Sequence, residues 1–220
     1  MAIRIGMLLF PRLTQLDLTG PYEVLSKLPE TEIFLAWKSL DPVVADSGLA
    51  LLPTTTLAQA PQADVLFVPG GGGQIPLMDD PEVLAFLRRQ AEGARYVTAV
   101  CTGSLLLGAA GLLQGYQATT HWAFHDLLTR CGAEPVRRRV VIDRDRITGG
   151  GVTAGIDFAL WLAAELAGPE VAQTIQLALE YDPAPPWAGS PERAAPEIVA
   201  RVRARFASLR QAREQHFAAT

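Results

Sequence analysis

Tyr96-Val-Thr-Ala-Val-Cys101-Thr-Gly-Ser-Leu-Leu-Leu-Gly-Ala-Ala110 is the stretch whose reading decides the fold. Its first half is a short apolar run with the composition of a buried strand. Its second half is rich in Leu and Ala and starts a helix. Cys101 stands at the junction, followed by Thr102, Gly103 and Ser104. A tight strand-to-helix turn exposes the side chain at its apex and points the free N–H groups of the helix start towards it. Those groups, with the positive end of the helix dipole, favour a thiolate. A nucleophilic cysteine fits this position. A small buried structural cysteine is the competing reading, since free Cys is among the most buried residue types.

Working outward, strands and helices alternate. Ile3–Phe10, Glu32–Trp37 and Val65–Val68 read as strands. Gly20-Pro21 is expected to open a short helix through about Lys27, Pro being harmless at a helix start. Asp41–Leu57, with Gly48 at its middle, reads as a hairpin excursion. Asp80-Pro81-Glu82 starts a helix to about Glu92. Arg137–Ile142 and Arg146–Thr148 flank a turn at Asp143-Arg-Asp145. Gly149-Gly-Gly-Val-Thr153 leads into a helix through Leu166, and another runs from Pro169 to about Tyr181. This order predicts an α/β fold whose mostly parallel sheet is sandwiched by helices. Residues 1–187 form that domain. Residues 188–220 form a carboxy-terminal helix starting near Ser190-Pro191-Glu192 and packing on the body or on a dimer partner. Ile198, Val202, Phe206 and Leu209 supply its apolar face, and Arg201, Arg203, Arg205, Arg210 and Arg213 its basic outer face.

Composition bounds the function. A chain of 220 residues suits one domain burying about 70–75% of its unfolded surface. A net charge of −4 and a pI near 5.4 give no sign of nucleic-acid or anionic-membrane partners. The amino-terminal run lacks the pattern of a signal peptide, and no run of about 18 apolar residues occurs. The two cysteines, Cys101 and Cys131, make no disulfide framework. A reduced, cytoplasmic protein is the expectation.

Loops that follow parallel strands gather at the carboxyl edge of the sheet, where open α/β sheets hold ligands. Four such segments converge there: Asp17 with Leu18-Thr-Gly20, the Gly70–Gly73 loop, the Cys101 elbow, and Gly149–Thr153. Asp17 is either a carboxylate at a helix start or, partly buried among Leu13, Leu16 and Leu18, a general acid/base beside Cys101. Gly71 and Gly72 offer backbone N–H groups to an anion or merely turn the chain; no Gly-Lys-Ser/Thr follows, so no phosphate loop is read. Gly150, Val152 and Thr153 can aim amides at the sulfur or the carboxylate, and Thr102 can place a hydroxyl near either. His121, in Thr119-Thr-His-Trp122, has no assigned role; His125 and His216 read as surface residues. Trp122 and Phe124 line a pocket or pack the core. No metal-ligand spacing occurs, so neither metal nor cofactor is expected.

Leu16-Asp17-Leu-Thr-Gly-Pro21, Ala99-Val-Cys101-Thr-Gly-Ser104, Ala118-Thr-Thr-His-Trp122 and Gly149-Gly-Gly-Val-Thr-Ala-Gly-Ile-Asp-Phe158 occur in the order seen in the PfpI-like superfamily. The chain resembles that superfamily from Ile3 to about Trp187, and within it the isocyanide-hydrating branch. The resemblance implies a flavodoxin-like, class I glutamine amidotransferase-like fold, a homodimer, Cys101 as nucleophile, Asp17 as acid/base and a small-molecule isocyanide as substrate. Much of the pattern is shared with the sensing domains of AraC-type regulators. A non-enzymatic ligand- or redox-sensing protein and a glyoxalase- or deglycase-like enzyme are therefore the alternatives. The latter would more naturally carry Glu at position 17 and a nearby His.

Overall fold

A computed structural model describes residues 2–219. The main-sheet strands are β1 (Ile3–Leu8), β2 (Thr31–Trp37), β3 (Thr55–Thr56), β4 (Val65–Val68), β5 (Tyr96–Val100), β6 (Val140–Asp143) and β7 (Arg146–Gly149). Their spatial order is β6-β7-β5-β4-β1-β2-β3. All neighbours pair in parallel except β6 and β7, the antiparallel hairpin around Arg144. The helices are α1 (Gln15–Leu25), α2 (Pro81–Gly93), α3 (Gly103–Ala109), α4 (Ala154–Ala167), α5 (Pro169–Ala178), α6 (Pro196–Arg205) and α7 (Ala207–Ala219).

The sheet is buried on both faces, which is why its inner strands are continuous apolar runs rather than alternating ones. All four residues of β4 are fully buried, as are Ile5, Met7, Val97, Ala99, Val100 and Ile147. Burying each Val, Leu or Ile contributes roughly 1.5–3 kcal/mol. The register places strand ends side by side: Gly149 pairs with Val100, and Val68 with Ala99. The loops after β1, β4, β5 and β7 therefore emerge together at one edge.

Several elements depart from expectation. The first helix begins at Gln15, five residues earlier than the Gly-Pro pair suggested, and carries Pro21 inside it. Pro21 has no N–H for the Asp17 carbonyl. The helix continues because Gly20 and Pro21 are buried against Ile156 and Gly155 of α4. Asp17 accordingly lies in the first turn of α1 rather than before it. As expected, the excursion after β2 forms a small antiparallel hairpin, Val43–Val44 with Ala50–Leu51, before β3 joins the main sheet. A ten-residue 3₁₀ segment, Trp122–Cys131, was not read from sequence. His125, expected at the surface, is buried within it. The His216 ring is also largely covered, against Asp79 and Phe217.

The carboxy-terminal region holds two helices. Ser190-Pro191 lies in a turn, and α6 starts at Pro196. Phe206 separates α6 from α7 and contacts the rings of Phe124 and His121. Arg213 is not on an outer face: it is 1% exposed.

Candidate active site

The apex of the β5–α3 turn is Cys101, a non-glycine residue with φ of 53°. A left-handed conformation costs an ordinary residue roughly 1–3 kcal/mol and persists only where its surroundings hold it. Here the Cys101 N–H donates to the carbonyls of Gly149 at 3.1 Å and Gly150 at 2.8 Å. Thr120 Oγ1 donates to the Cys101 carbonyl at 2.7 Å. The strained turn is pinned by the β7–α4 loop and by the chain entering the 3₁₀ segment.

Asp17 is fully buried. Its Oδ2 accepts from the Gly70 N–H at 3.0 Å. Its Oδ1 is buried without a hydrogen-bond partner; the carboxyl lies beside the Cys101 side chain, Asp17 Oδ2 and Cys101 Cβ flanking the same point at Gly70. Burial pushes the carboxyl up to about 7, partly offset by the Cys101 and Gly70 interactions. Burial and the neighbouring Asp17 charge push the Cys101 thiol well above its ordinary value, against the N–H groups of Thr102 and Val152 that favour the thiolate. The expected amide donors are thus present, but desolvation outweighs them. Cys101 and Asp17 behave as one coupled acid, and proton loss belongs to the pair.

The glycine loop is built around this pair. Gly71 N–H donates to Thr102 Oγ1 at 3.0 Å, and Gly73 N–H to the Arg12 carbonyl at 3.1 Å. With Gly70 committed to Asp17, the amides of Gly70, Gly71 and Gly73 serve the scaffold. Gly72 lies beside the Leu209 side chain of α7. A Cβ on Gly70 would sit 2.6 Å from Thr102 N, 2.7 Å from Asp17 Oδ2 and 2.8 Å from the Cys101 Cβ. Two of these neighbours are rigid backbone or near-backbone atoms. Gly70→Ala is expected to lower the melting temperature and to displace Asp17 from Cys101. Thermal melting and the pH dependence of cysteine alkylation check this.

The β7–α4 loop forms the other wall. Gly150 N–H donates to the Arg139 carbonyl at 2.9 Å. The Val152 N–H favours the Cys101 thiolate. Thr153 stands at the N-cap position of α4 without a side-chain cap bond, and its Oγ1 accepts from Arg139 Nη2 at 3.3 Å. A cavity of about 430 Å³ is lined by Thr120, His121, Gly150–Thr153, Arg137–Arg139 and Ser190–Glu192. A larger one, about 600 Å³, adjoins it at Trp122, His125 and Arg137 and extends to Arg203, Phe206 and Arg210. The smaller cavity is the one that borders the β7–α4 loop, whose Gly150 carbonyl accepts from the Cys101 N–H.

His121 lies against Gly151 and stacks on Trp122. Its Nδ1 accepts from the Ala123 N–H at 3.2 Å. Burial and the Arg213 charge hold the ring down to about 4. It is therefore neutral, with its acceptor nitrogen already occupied. Phe124 is 3% exposed and belongs to the core, with Arg213 over its ring.

Arg213 and Gln74 are the residues of this neighbourhood that sequence reasoning did not place here. A signal existed: the face Phe206, Leu209, Arg213 continues at helical spacing, so Arg213 occupies an inward position. Nothing local marked Gln74.

A profile of the DJ-1/PfpI family matches residues 3–165. An isonitrile hydratase from Pseudomonas putida is 60% identical over 208 residues, covering 94% of this chain and 91% of that protein. The HTH-type transcriptional regulator GbdR of Pseudomonas aeruginosa is 33% identical over 81% of this chain, which spans 50% of the regulator. Among solved structures, a ThiJ/PfpI family protein from Pseudomonas syringae superposes with a TM-score of 0.96 at 44% identity, covering 99% of this chain and 91% of that one.

Proposed function

The chain belongs to the DJ-1/PfpI family, and on that premise we propose that it is an isocyanide hydratase, converting an isocyanide and water to an N-substituted formamide. The observation that carries the reading is the fully buried Asp17 carboxyl, raised to about 7, facing the thiol of a strained elbow cysteine. The likeness to the Pseudomonas putida enzyme supports it.

An isocyanide carbon accepts a soft nucleophile and needs a proton at the same atom. Cys101 sulfur bonds to that carbon while the proton shared with Asp17 is delivered there, giving a thioimidate. Asp17, now ionised, takes a proton from water as the water oxygen attacks the thioimidate carbon. As the hydroxyl proton passes to the nitrogen, the C=O forms and the C–S bond breaks, releasing the formamide and the thiolate, and the pair again holds one proton. Thr102 fixes the loop through Gly71, while Gly72 spaces that loop from α7. Gly150, Val152 and Thr153 form the wall through which the sulfur is stabilised. His121, neutral and tied at Nδ1, does not supply the base that a glyoxalase-like route would use.

This scheme fixes a pH dependence. With two protons on the pair the sulfur is a neutral thiol; with one, a thiolate and a protonated carboxyl are accessible together. The kcat/KM is therefore expected to rise as pH increases through about 7 and then level off. Incubation of the purified protein with an alkyl or aryl isocyanide, following formamide by mass spectrometry, tests the activity. Absence of formamide across pH 6–9 overturns it.

The β7–α4 loop is expected to move during turnover. Thioimidate formation removes the sulfur's negative charge, so the Val152 N–H loses a charge-assisted partner. A Cβ on Gly150 meets only ordinary contacts, the nearest being the Arg139 carbonyl at 3.5 Å, so Gly150→Thr folds. The branched side chain restricts the backbone change. Stopped-flow kinetics should show slower decay of the intermediate, with attack less affected.

The cytoplasmic location and homodimer read from the sequence remain part of this proposal. Trp161 on α4 and Leu177 on α5, 55% and 82% exposed, support a covered apolar face, and no helix of the described residues is long and apolar enough to cross a membrane. Sedimentation analysis checks the dimer.

A further inference from the structure

The guanidinium of Arg213 is buried without a carboxylate. Its Nε donates to Gln74 Oε1 at 3.0 Å, Nη1 to the Leu209 carbonyl at 3.2 Å and Nη2 to the Gly71 carbonyl at 3.3 Å. The Phe124 ring lies 4.3 Å beneath it. Among the described residues no Asp or Glu forms an ion pair with it, whereas its neighbour Arg210 pairs with both Asp126 and Glu214. Removing a cation from water costs several kcal/mol unless an opposite charge or dense hydrogen bonding offsets it. Three neutral acceptors and a ring satisfy the geometry but provide no counter-charge.

Burial lowers the Arg213 guanidinium to about 10, and a charge on Cys101 acts against that burial. The two are joined through Gly71, whose carbonyl accepts from Arg213 and whose N–H donates to Thr102 Oγ1, next to the nucleophile. Asp17 faces the sulfur from α1, with Asp46 behind it. His121 precedes the 3₁₀ segment and is held neutral, in part by Arg213 itself.

We propose that Arg213, delivered by α7, is a positioning residue for Cys101: its buried charge favours the thiolate, and its bond to the Gly71 carbonyl holds the glycine loop against Thr102. The carboxy-terminal helix is thereby part of the reactive site although it lies beyond the residues matched by the family profile. The inference rests on Cys101 being the nucleophile proposed above, but its test does not require isocyanide turnover.

The test is the pH profile of iodoacetamide alkylation of the full-length protein, with the modified peptide identified as the one containing Cys101. Arg213→Met fills the space without a charge, a kind of replacement that buried ionic sites often tolerate. Its profile should move up by about one pH unit, equivalent to roughly tenfold slower alkylation on the rising limb. Arg213→Lys keeps the charge, and its profile should stay within about threefold of the parent. A folded Met variant whose profile superimposes on the parent overturns the proposal. If the Met variant does not fold, a folded Lys variant displaced by a full unit overturns it, because charge would then not be the agent. A shifted Met profile in a protein that yields no formamide would uphold this inference and sink the hydratase reading.

Discussion

Cys101→Ala is expected to abolish formamide production. Cys101 alone among the cysteines combines a strained apex, a facing carboxyl and the amides of Thr102 and Val152. The substitution also removes the attacking atom, and no neighbouring group replaces it: Thr102 Oγ1 is engaged by Gly71, and the His121 acceptor nitrogen by Ala123. Activity should fall to the level of the uncatalysed reaction. The Ala variant should fold, because the Gly149, Gly150 and Thr120 contacts are made by backbone atoms of residue 101. Cys131→Ala provides the contrast. That thiol is pushed by burial up to about 12 and packs against Gly108. Its loss should cost about 1–2 kcal/mol of stability and leave turnover nearly intact. Equal loss of turnover in both folded variants would remove Cys101 from the mechanism.

Asp17→Asn should lower steady-state turnover by roughly 10²-fold or more, because an amide of the same size cannot donate and retake a proton. The same change should stabilise the fold at neutral and alkaline pH. Below about pH 3.8 the carboxyl is protonated in both folded and unfolded chains. As pH rises from there to about 7, the unfolded chain ionises while the folded carboxyl resists, so the folded state loses stability. Asn has no proton to lose. Its melting temperature should therefore exceed the parent's at pH 8 and approach it near pH 4, with each kcal/mol appearing as about 2–4 °C. Calorimetry across that range checks the sign. A folded Asn variant with near-normal turnover would mean that another group moves the proton. Asp17→Glu pushes a second methylene into the space beside Gly70 and should impair hydration as well.

Legibility tracked the range of the interactions involved. The strand-to-helix turn at Cys101 was visible because both halves of its pattern lie within fifteen residues of sequence. The mostly parallel character of the sheet was visible for the same reason, each strand and following helix carrying its own periodicity. The cap of α2 was equally local: Asp80 accepts from the N–H groups of Glu82 and Val83. The start of α1 was not. A Gly-Pro pair signals a helix start locally, and only the fit of Gly20 and Pro21 against α4 lets the helix run through it. Arg213 was misplaced because a basic run reads as a solvated face unless the neighbouring core is known.

By itself the sequence determined the α/β class, the position of the elbow cysteine and the loops that meet it, since these follow from periodicity and turn chemistry within short windows. The tertiary structure alone decided which atoms face one another. Asp17 meets Gly70 across 53 residues of chain and Arg213 meets Gly71 across 142. Burial at those meetings raises the Asp17 carboxyl, commits the glycine amides and leaves one cation without a carboxylate. Desolvation depends on everything packed around a group, and that packing is settled only when distant segments close over it.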